Sequence, residues 1–250
     1  MRLQASPAMR VCWLILGGLG MTLPAAAEPP QVLWLGRFGQ SLEPFTELRL
    51  KADISPNRFE RQRWDGEDAL VVHSEASMSL MARAVTLDFR QTPVLCWRWR
   101  IDAPLKTADM QRKLGDDYAA RLYLSLRLPD GDKSLAQRAQ LRLARALFGP
   151  QVPDAALNYV WDNRHPVGTE APNAYTDRTQ MRVLRSGAES AGRWVSERRD
   201  VAADARRLFG PNAQAAQLAV TADTDNTGER ARAGFAQIHA VGAGQDCQFE

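Results

Sequence analysis

The chain has 250 residues, a formal net charge of +3, and 45% hydrophobic and 24% charged residues. That balance excludes a disordered polymer, and near-neutrality gives no footprint for coating nucleic acid. Its three cysteines lack the paired spacing of a cysteine-built metal module.

The chain opens with Arg2 and Arg10, an apolar run from Val11 to Leu23, and then "PAAAE" with small residues at Ala25 and Ala27. A basic start, a short apolar core and an Ala-x-Ala site spell a secretory leader, so residues 1–27 are expected to be removed. Cys12 lies within the apolar run instead of at the cleavage point, which argues against a lipoprotein, and no twin-arginine signal is present. The expected product is a periplasmic or secreted protein without a transmembrane anchor, because no second long apolar stretch follows. Residues 28–250 then form a single β-sandwich domain.

From there short strand patterns dominate: "RFERQRW", "ALVVHS", "AVTLDF", "VLCWRWRI", "RLYLSLRL", "LNYVW", "TQMRVLR", "RWVSERR", "QLAVTA" and "RAGFAQIHA". Each is bounded by Gly, Pro, Asp or Asn, and no regular helices alternate with them. The pattern predicts an all-β, antiparallel β-sandwich, jelly-roll or galactose-binding-like. "WDGEDA" supplies an Asp-Gly hairpin turn. Two short inserted helices are expected. Ser134–Phe148 groups Leu135, Ala139, Leu143, Ala146 and Leu147 on one face, and a second runs from an Asp200 cap to Phe209.

Alternation assigns faces. Leu122, Leu124, Leu126 and Leu128 share one side of their strand; Arg121, Tyr123, Ser125 and Arg127 share the other. Trp97 and Trp99 alternate with Cys96, Arg98 and Arg100, and read as core. If the two strands share a sheet, one surface collects Arg98, Arg100, Arg121 and Tyr123. Cys96 and Cys247 read as two inert thiols, with a bridge as the alternative an oxidising compartment permits.

Four stretches carry more polar residues than turns require: "KLGDDYAARLY", "LNYVWDNRHPVGT", "PNAYTDR" and "DTDNTGERA". Together with "RSG" and "RRD", and in this order, they resemble the landmarks of the bacterial domain of unknown function 3047. The resemblance spans most of the mature chain, implies no established activity and transfers no catalytic residue.

The chemistry therefore rests on residue types. There is no Gly-x-Ser-x-Gly elbow. His73 and His239 read as structural, and His165 is the histidine worth testing. Candidate ligand contacts are Asp116, Asp117, Arg121, Tyr123, Asn158, Trp161, Asp162, Tyr175, Asp177, Arg178, Asp223, Asp225 and Arg230. Arginines and carboxylates suit bidentate bonds to acids or vicinal hydroxyls, and an exposed aromatic can stack on a sugar ring. The expected function is non-catalytic binding of a small polyhydroxylated or anionic, carbohydrate-like ligand at the cell envelope. A carboxylate-dependent glycan hydrolase or lyase and a purely structural envelope protein are the alternatives. Asp223, Asp225, Thr227 and Gly228 mimic the start of a calcium loop, but Gly234 stands where the twelfth-position acid belongs. No cofactor is expected, with a structural Ca²⁺ at Asp223 and Asp225 as the alternative.

Overall fold

The computed structural model describes residues 32–150 and 152–250. The expected leader, residues 1–27, lies outside the described residues. Among the described residues thirteen strands form two packed sheets, accompanied by two α-helices. The first sheet contains β1 (Leu33–Gly36), β3 (Arg58–Trp64), β4 (Glu67–Glu75), β6 (Val94–Ile101), β11 (Val195–Asp200) and β13 (Arg230–Val241). The second contains β2 (Thr46–Leu48), β5 (Leu80–Ala84), β7 (Tyr118–Arg127), β8 (Ala155–Asp162), β9 (Glu170–Asn173), β10 (Thr176–Ser186) and β12 (Gln214–Asp223). Their orders are β11-β6-β13-β4-β3, with β1 added alongside β13, and β2-β5-β12-β7-β8-β10-β9.

The all-β sandwich is as the sequence predicts, with one exception to its antiparallel rule. β10 runs parallel to β8, because β9 takes the outermost place and leaves a slot into which β10 returns. The β3–β4 turn holds Asp65 at φ 45° and Gly66 at φ 88°. Two positive φ angles are what a two-residue hairpin turn needs. "AVTLDF" is mostly a correction: strand β5 ends at Ala84, and the following residues are a loop that anchors itself through buried Val85 and Leu87. β1, β2 and β9 were not foreseen, being too short to show alternation.

Between the sheets lies an aromatic layer. Trp97 and Trp99 of β6 face Tyr159 and Trp161 of β8, each pair with ring centroids 5.7 Å apart, and Phe235 of β13 lies 6.5 Å from Trp99. Leu122, Leu124 and Leu126 of β7 fill the same layer and are fully buried. β6 and β7 belong to different sheets, so Arg98 and Arg100 do not join Arg121 and Tyr123. Arg98 pairs with Glu67, and Arg100 pairs with Asp65 while stacking 4.0 Å over Trp64, all on the far side of the molecule.

Helix α2 (Val201–Phe209) starts where expected, with Asp200 accepting the Ala203 N–H at 2.8 Å. Helix α1 (Leu135–Phe148) starts with a capping box between Ser134 and Gln137. Its leucine face is a correction: Leu135, Leu143 and Leu147 are 79%, 63% and 67% exposed, and Leu141 on the opposite side is the buried one.

The two thiols are also corrected. Cys96 and Cys247 form a disulfide with Cα atoms 5.8 Å apart. It ties the C-terminal tail to the outer face of β6, where His239 sits between Trp34 and Phe249. The closed loop spans 151 residues, so a chain-entropy argument gives an upper limit of about 5 kcal/mol. Reduction, or Cys247→Ser, is expected to lower unfolding free energy by about 2–5 kcal/mol in urea titrations with and without reductant. Coincident titrations would contradict the bridge.

Candidate functional site

The outer face of the second sheet carries a cleft of about 390 Å³. Its floor is set by a bulge. Thr221 pairs with Arg121, but Asp223 pairs with Tyr118, so β7 spends one more residue than β12 over the same interval. Ala119 and Ala120 consequently both enter the core, and Tyr118 and Arg121 both point outward.

Arg121 is buried yet fully engaged. Its guanidinium lies 4.5 Å from the Tyr118 ring centroid and 4.7 Å from that of Tyr123, held between the two. Nη1 donates to Asp223 Oδ2. With the Asn158 carboxamide oxygen turned toward it, Nη2 donates at 2.6 Å and Nε at 3.2 Å. Asp223 also accepts the Tyr118 backbone N–H at 2.8 Å. Burial opposes the charge on Arg121, but Asp223 alongside holds the guanidinium firmly protonated. Burial pushes the Tyr118 and Tyr123 phenols upward, so both stay neutral.

Around this floor the acids have distinct partners. Asp116 accepts from Tyr118 Oη at 3.1 Å and from Asn173 Nδ2 at 2.7 Å. Asp117, behind the cleft wall, accepts the Asn226 backbone N–H at 3.1 Å and that of Thr227 at 2.6 Å. Asp225 is the least satisfied: its one side-chain contact is Asn226 Nδ2 at 3.5 Å. Half burial and the neighbouring Asp117 raise its pKa. Oxygens of Asp117, Asp223 and Asp225 lie within 4.8 Å of one another. These are the carboxylates that could hold a cation, although protein donors already occupy most lone pairs of the first two.

Across the cleft stand Arg178, Lys51, half-exposed Tyr175 and an apolar wall that includes Leu50, Ile54, Met78, Val152 and Pro153. Tyr175 Oη reaches Lys113 O at 2.9 Å and Asn226 Oδ1 at 3.0 Å, and its single proton serves one at a time. Arg178 Nη1 is buried and has no hydrogen-bond partner among the described residues.

Of the sequence candidates, Asp116, Arg121, Tyr123, Tyr175, Arg178, Asp223 and Asp225 line this cleft. Asn158 and Asp117 brace it from behind. Four candidates do not belong. Trp161 is in the inter-sheet core, its indole N–H bound to Gly187 O at 3.1 Å. Asp162 is buried and caps the next loop, accepting the Arg164 and His165 N–H groups at 2.6 and 2.7 Å. His165 is turned onto that same carboxylate at 3.2 Å. Asp177 is solvent-exposed and is not among the residues lining the cleft. Arg230 pairs with Glu75 beside a different, more open groove of about 510 Å³, where Arg58 and Arg232 also have acidic partners. Lys51, Asn173 and Asn226 were missed; the two asparagines lay inside polar stretches already singled out.

The "DTDNTGE" segment is a strand connection, followed by β13 and not by a helix. Thr224 is buried against Ser74, and Glu229 accepts the backbone N–H groups of Lys106 and Thr107 at 2.9 Å each. Asp223 and Asp225 are left to the cleft.

A family model described as "protein of unknown function (DUF3047)" matches residues 43–239. No curated protein matches the chain. Among solved structures there is a likeness to one described as "Comparison of Family 12 Glycoside Hydrolases and Recruited Substitutions Important for Thermal Stability". It has a TM-score of 0.37 and 11% identity, over 75% of this chain and 84% of that one. Nothing about activity follows from a likeness this distant.

Two measurements check the geometry. Arg121→Met should destabilise by about 3–5 kcal/mol, since Asp223 is left buried without its partner, and adding Asp223→Asn should restore much of the loss. Additive effects would mean the two do not act as a pair. Asp225 takes up a proton on folding, since its pKa is higher folded than unfolded; it therefore opposes stability at neutral pH and ceases to as pH falls. Asp225→Asn should raise the melting temperature at pH 7, with the gain vanishing below about pH 4. A gain independent of pH would contradict the assignment.

Proposed function

We propose that this chain, which belongs to the DUF3047 family of proteins of unknown function, binds a small polyhydroxylated ligand bearing a carboxylate in the cleft. One observation carries the reading: Arg178 lines the cleft, and its Nη1 is buried without a hydrogen-bond partner among the described residues. A buried donor without an acceptor costs roughly 1–3 kcal/mol, and turning the guanidinium toward a ligand carboxylate in the cleft would relieve it with a charge-assisted bond. Arg121 is unsuited to this task, because Asp223 and Asn158 already take its donors. Asp225 and Asp116 offer acceptors for hydroxyls on the opposite side, and Tyr175 offers a ring edge or face to a sugar. The leader expected from the sequence over residues 1–27 would place such binding at the cell envelope.

Non-catalytic binding is favoured because most acids in the cleft are committed to protein donors. The specific observation on the other side is Asp225, half-buried with a raised pKa beside Asp117. Such an acid fits the proton-donor half of glycan hydrolysis or lysis.

Calorimetric titration with uronic-acid oligosaccharides and their neutral counterparts tests the proposal. Uronates should bind more tightly, and Arg178→Met should weaken them by about 10- to 100-fold, the worth of one charge-assisted hydrogen bond. The ligand-free variant should melt no lower than the wild type, since it loses an unsatisfied donor. Equal binding of neutral and acidic glycans, unchanged by Arg178→Met, would overturn the reading. Chain shortening of the oligosaccharides during incubation that Asp225→Asn abolishes would assign Asp225 a catalytic role.

A further inference from the structure

Helix α1 is built inside out. Near 100° per residue, Leu135, Ala136, Ala139, Leu143, Ala146 and Leu147 fall on one continuous side, and every one of them is exposed. The opposite side fixes the helix to the body. Leu141 is buried, Arg145 donates to Val152 O and Asp154 at 3.0 Å each, and Arg138 donates to Lys133 O at 3.1 Å. A surface helix ordinarily turns its apolar stripe inward. Here the polar side is held inward by named contacts, so the leucines face solvent as part of the fold.

Charge narrows what covers them. The helix carries Arg138, Arg142 and Arg145 and no acid. Arg142 is exposed at the border of the stripe. A second copy docking by the same face would set this acid-free helix against itself, bringing Arg142 toward Arg142 with no acid of the helix to neutralise either. The area is also small. A 14-residue helix is about 21 Å long and 10 Å wide, so two such faces bury far less than the roughly 1,200 Å² of a stable interface. A bilayer with anionic headgroups needs neither self-complementarity nor a minimum area. Leucines at acyl depth with the exposed Arg142 at their border follow the pattern of an in-plane interfacial helix.

We propose that α1 is a membrane-docking helix that seats this protein, through Leu135, Leu143 and Leu147, on an anionic phospholipid surface. No helix among the described residues is long and apolar enough to cross a membrane, so the contact is peripheral and reversible. The inference is independent of the ligand assigned to the cleft.

Hydrogen–deuterium exchange on the full chain, with and without vesicles of phosphatidylglycerol and phosphatidylcholine, tests it. Exchange is read on peptides covering residues 135–148, to which the apolar run Val11–Leu23 does not contribute. Anionic vesicles should slow exchange there by about tenfold, pure phosphatidylcholine should do so much less, and high salt should reduce the effect. Leu143→Glu with Leu147→Glu should abolish the protection at unchanged melting temperature, because both side chains already face water. No protection of these peptides at any phosphatidylglycerol content would overturn the proposal. Protection that rises with protein concentration in the absence of lipid would overturn it too, and would assign the face to a second copy of the chain.

Discussion

The Arg121–Asp223 pair is the constraint on which the cleft depends. It joins neighbouring strands β7 and β12 at a bulge, where Ala119 and Ala120 both turn inward. Two small side chains in succession make that double entry sterically cheap. With Tyr118 and Tyr123 on either side and Asn158 below, the guanidinium has one geometry available to it. The carboxylate of Asp223 is fixed in turn, and with it the point at which β12 gives way to the loop carrying Asp225 and Asn226. The guanidinium at the centre of this floor is scaffolding and not a receptor, because Asp223 and Asn158 take its donors.

The fold was largely legible because its strands announce themselves. β3 and β6 coincide with "RFERQRW" and "VLCWRWRI", and β7 alternates leucine with polar residues as a half-buried strand must. What stayed illegible was pairing. Arg98, Arg100 and Arg121 look equivalent along the chain, yet β6 and β7 lie in different sheets, and no local pattern reports sheet membership. The same limit hid the parallel β8–β10 pair, which follows from where β9 sits and not from any residue in β8. The disulfide needed the separation of Cys96 and Cys247, 151 residues apart in sequence but 5.8 Å apart in space.

The candidate site divides along the same line. Polar residues next to bulges and strand ends, such as Asp116, Arg121, Asp223 and Asp225, were identifiable by type and came together. Trp161 failed because its strand is buried on both faces, so Leu157, Tyr159 and Trp161 on one side and Asn158, Val160 and Asp162 on the other do not say which side meets the opposite sheet; Trp99 opposite it decides the matter. Asp162 failed because a loop-capping aspartate and a ligand-binding one are the same residue type in the same kind of segment. Arg178 could be named but its significance could not, since an unsatisfied Nη1 is a property of its surroundings.

Helix α1 connects the two proposals in space. Ala144, on the flank of the helix, lines the cleft together with Val152 and Pro153 just beyond its end. Leu143 and Leu147, about 100° and 60° round the helix from Ala144, face solvent. A helix is about 10 Å across with its side chains, so seating the leucines in a bilayer would hold this wall of the cleft within one helix diameter of the headgroups. Ligands drawn from a membrane surface and ligands free in solution would then reach Arg178 by different routes. The basic, acid-free character of α1 would also raise the local concentration of anionic groups beside that wall. Position and charge in the helix thus bear on the same preference for an anionic group that the unpartnered guanidinium carries inside the cleft.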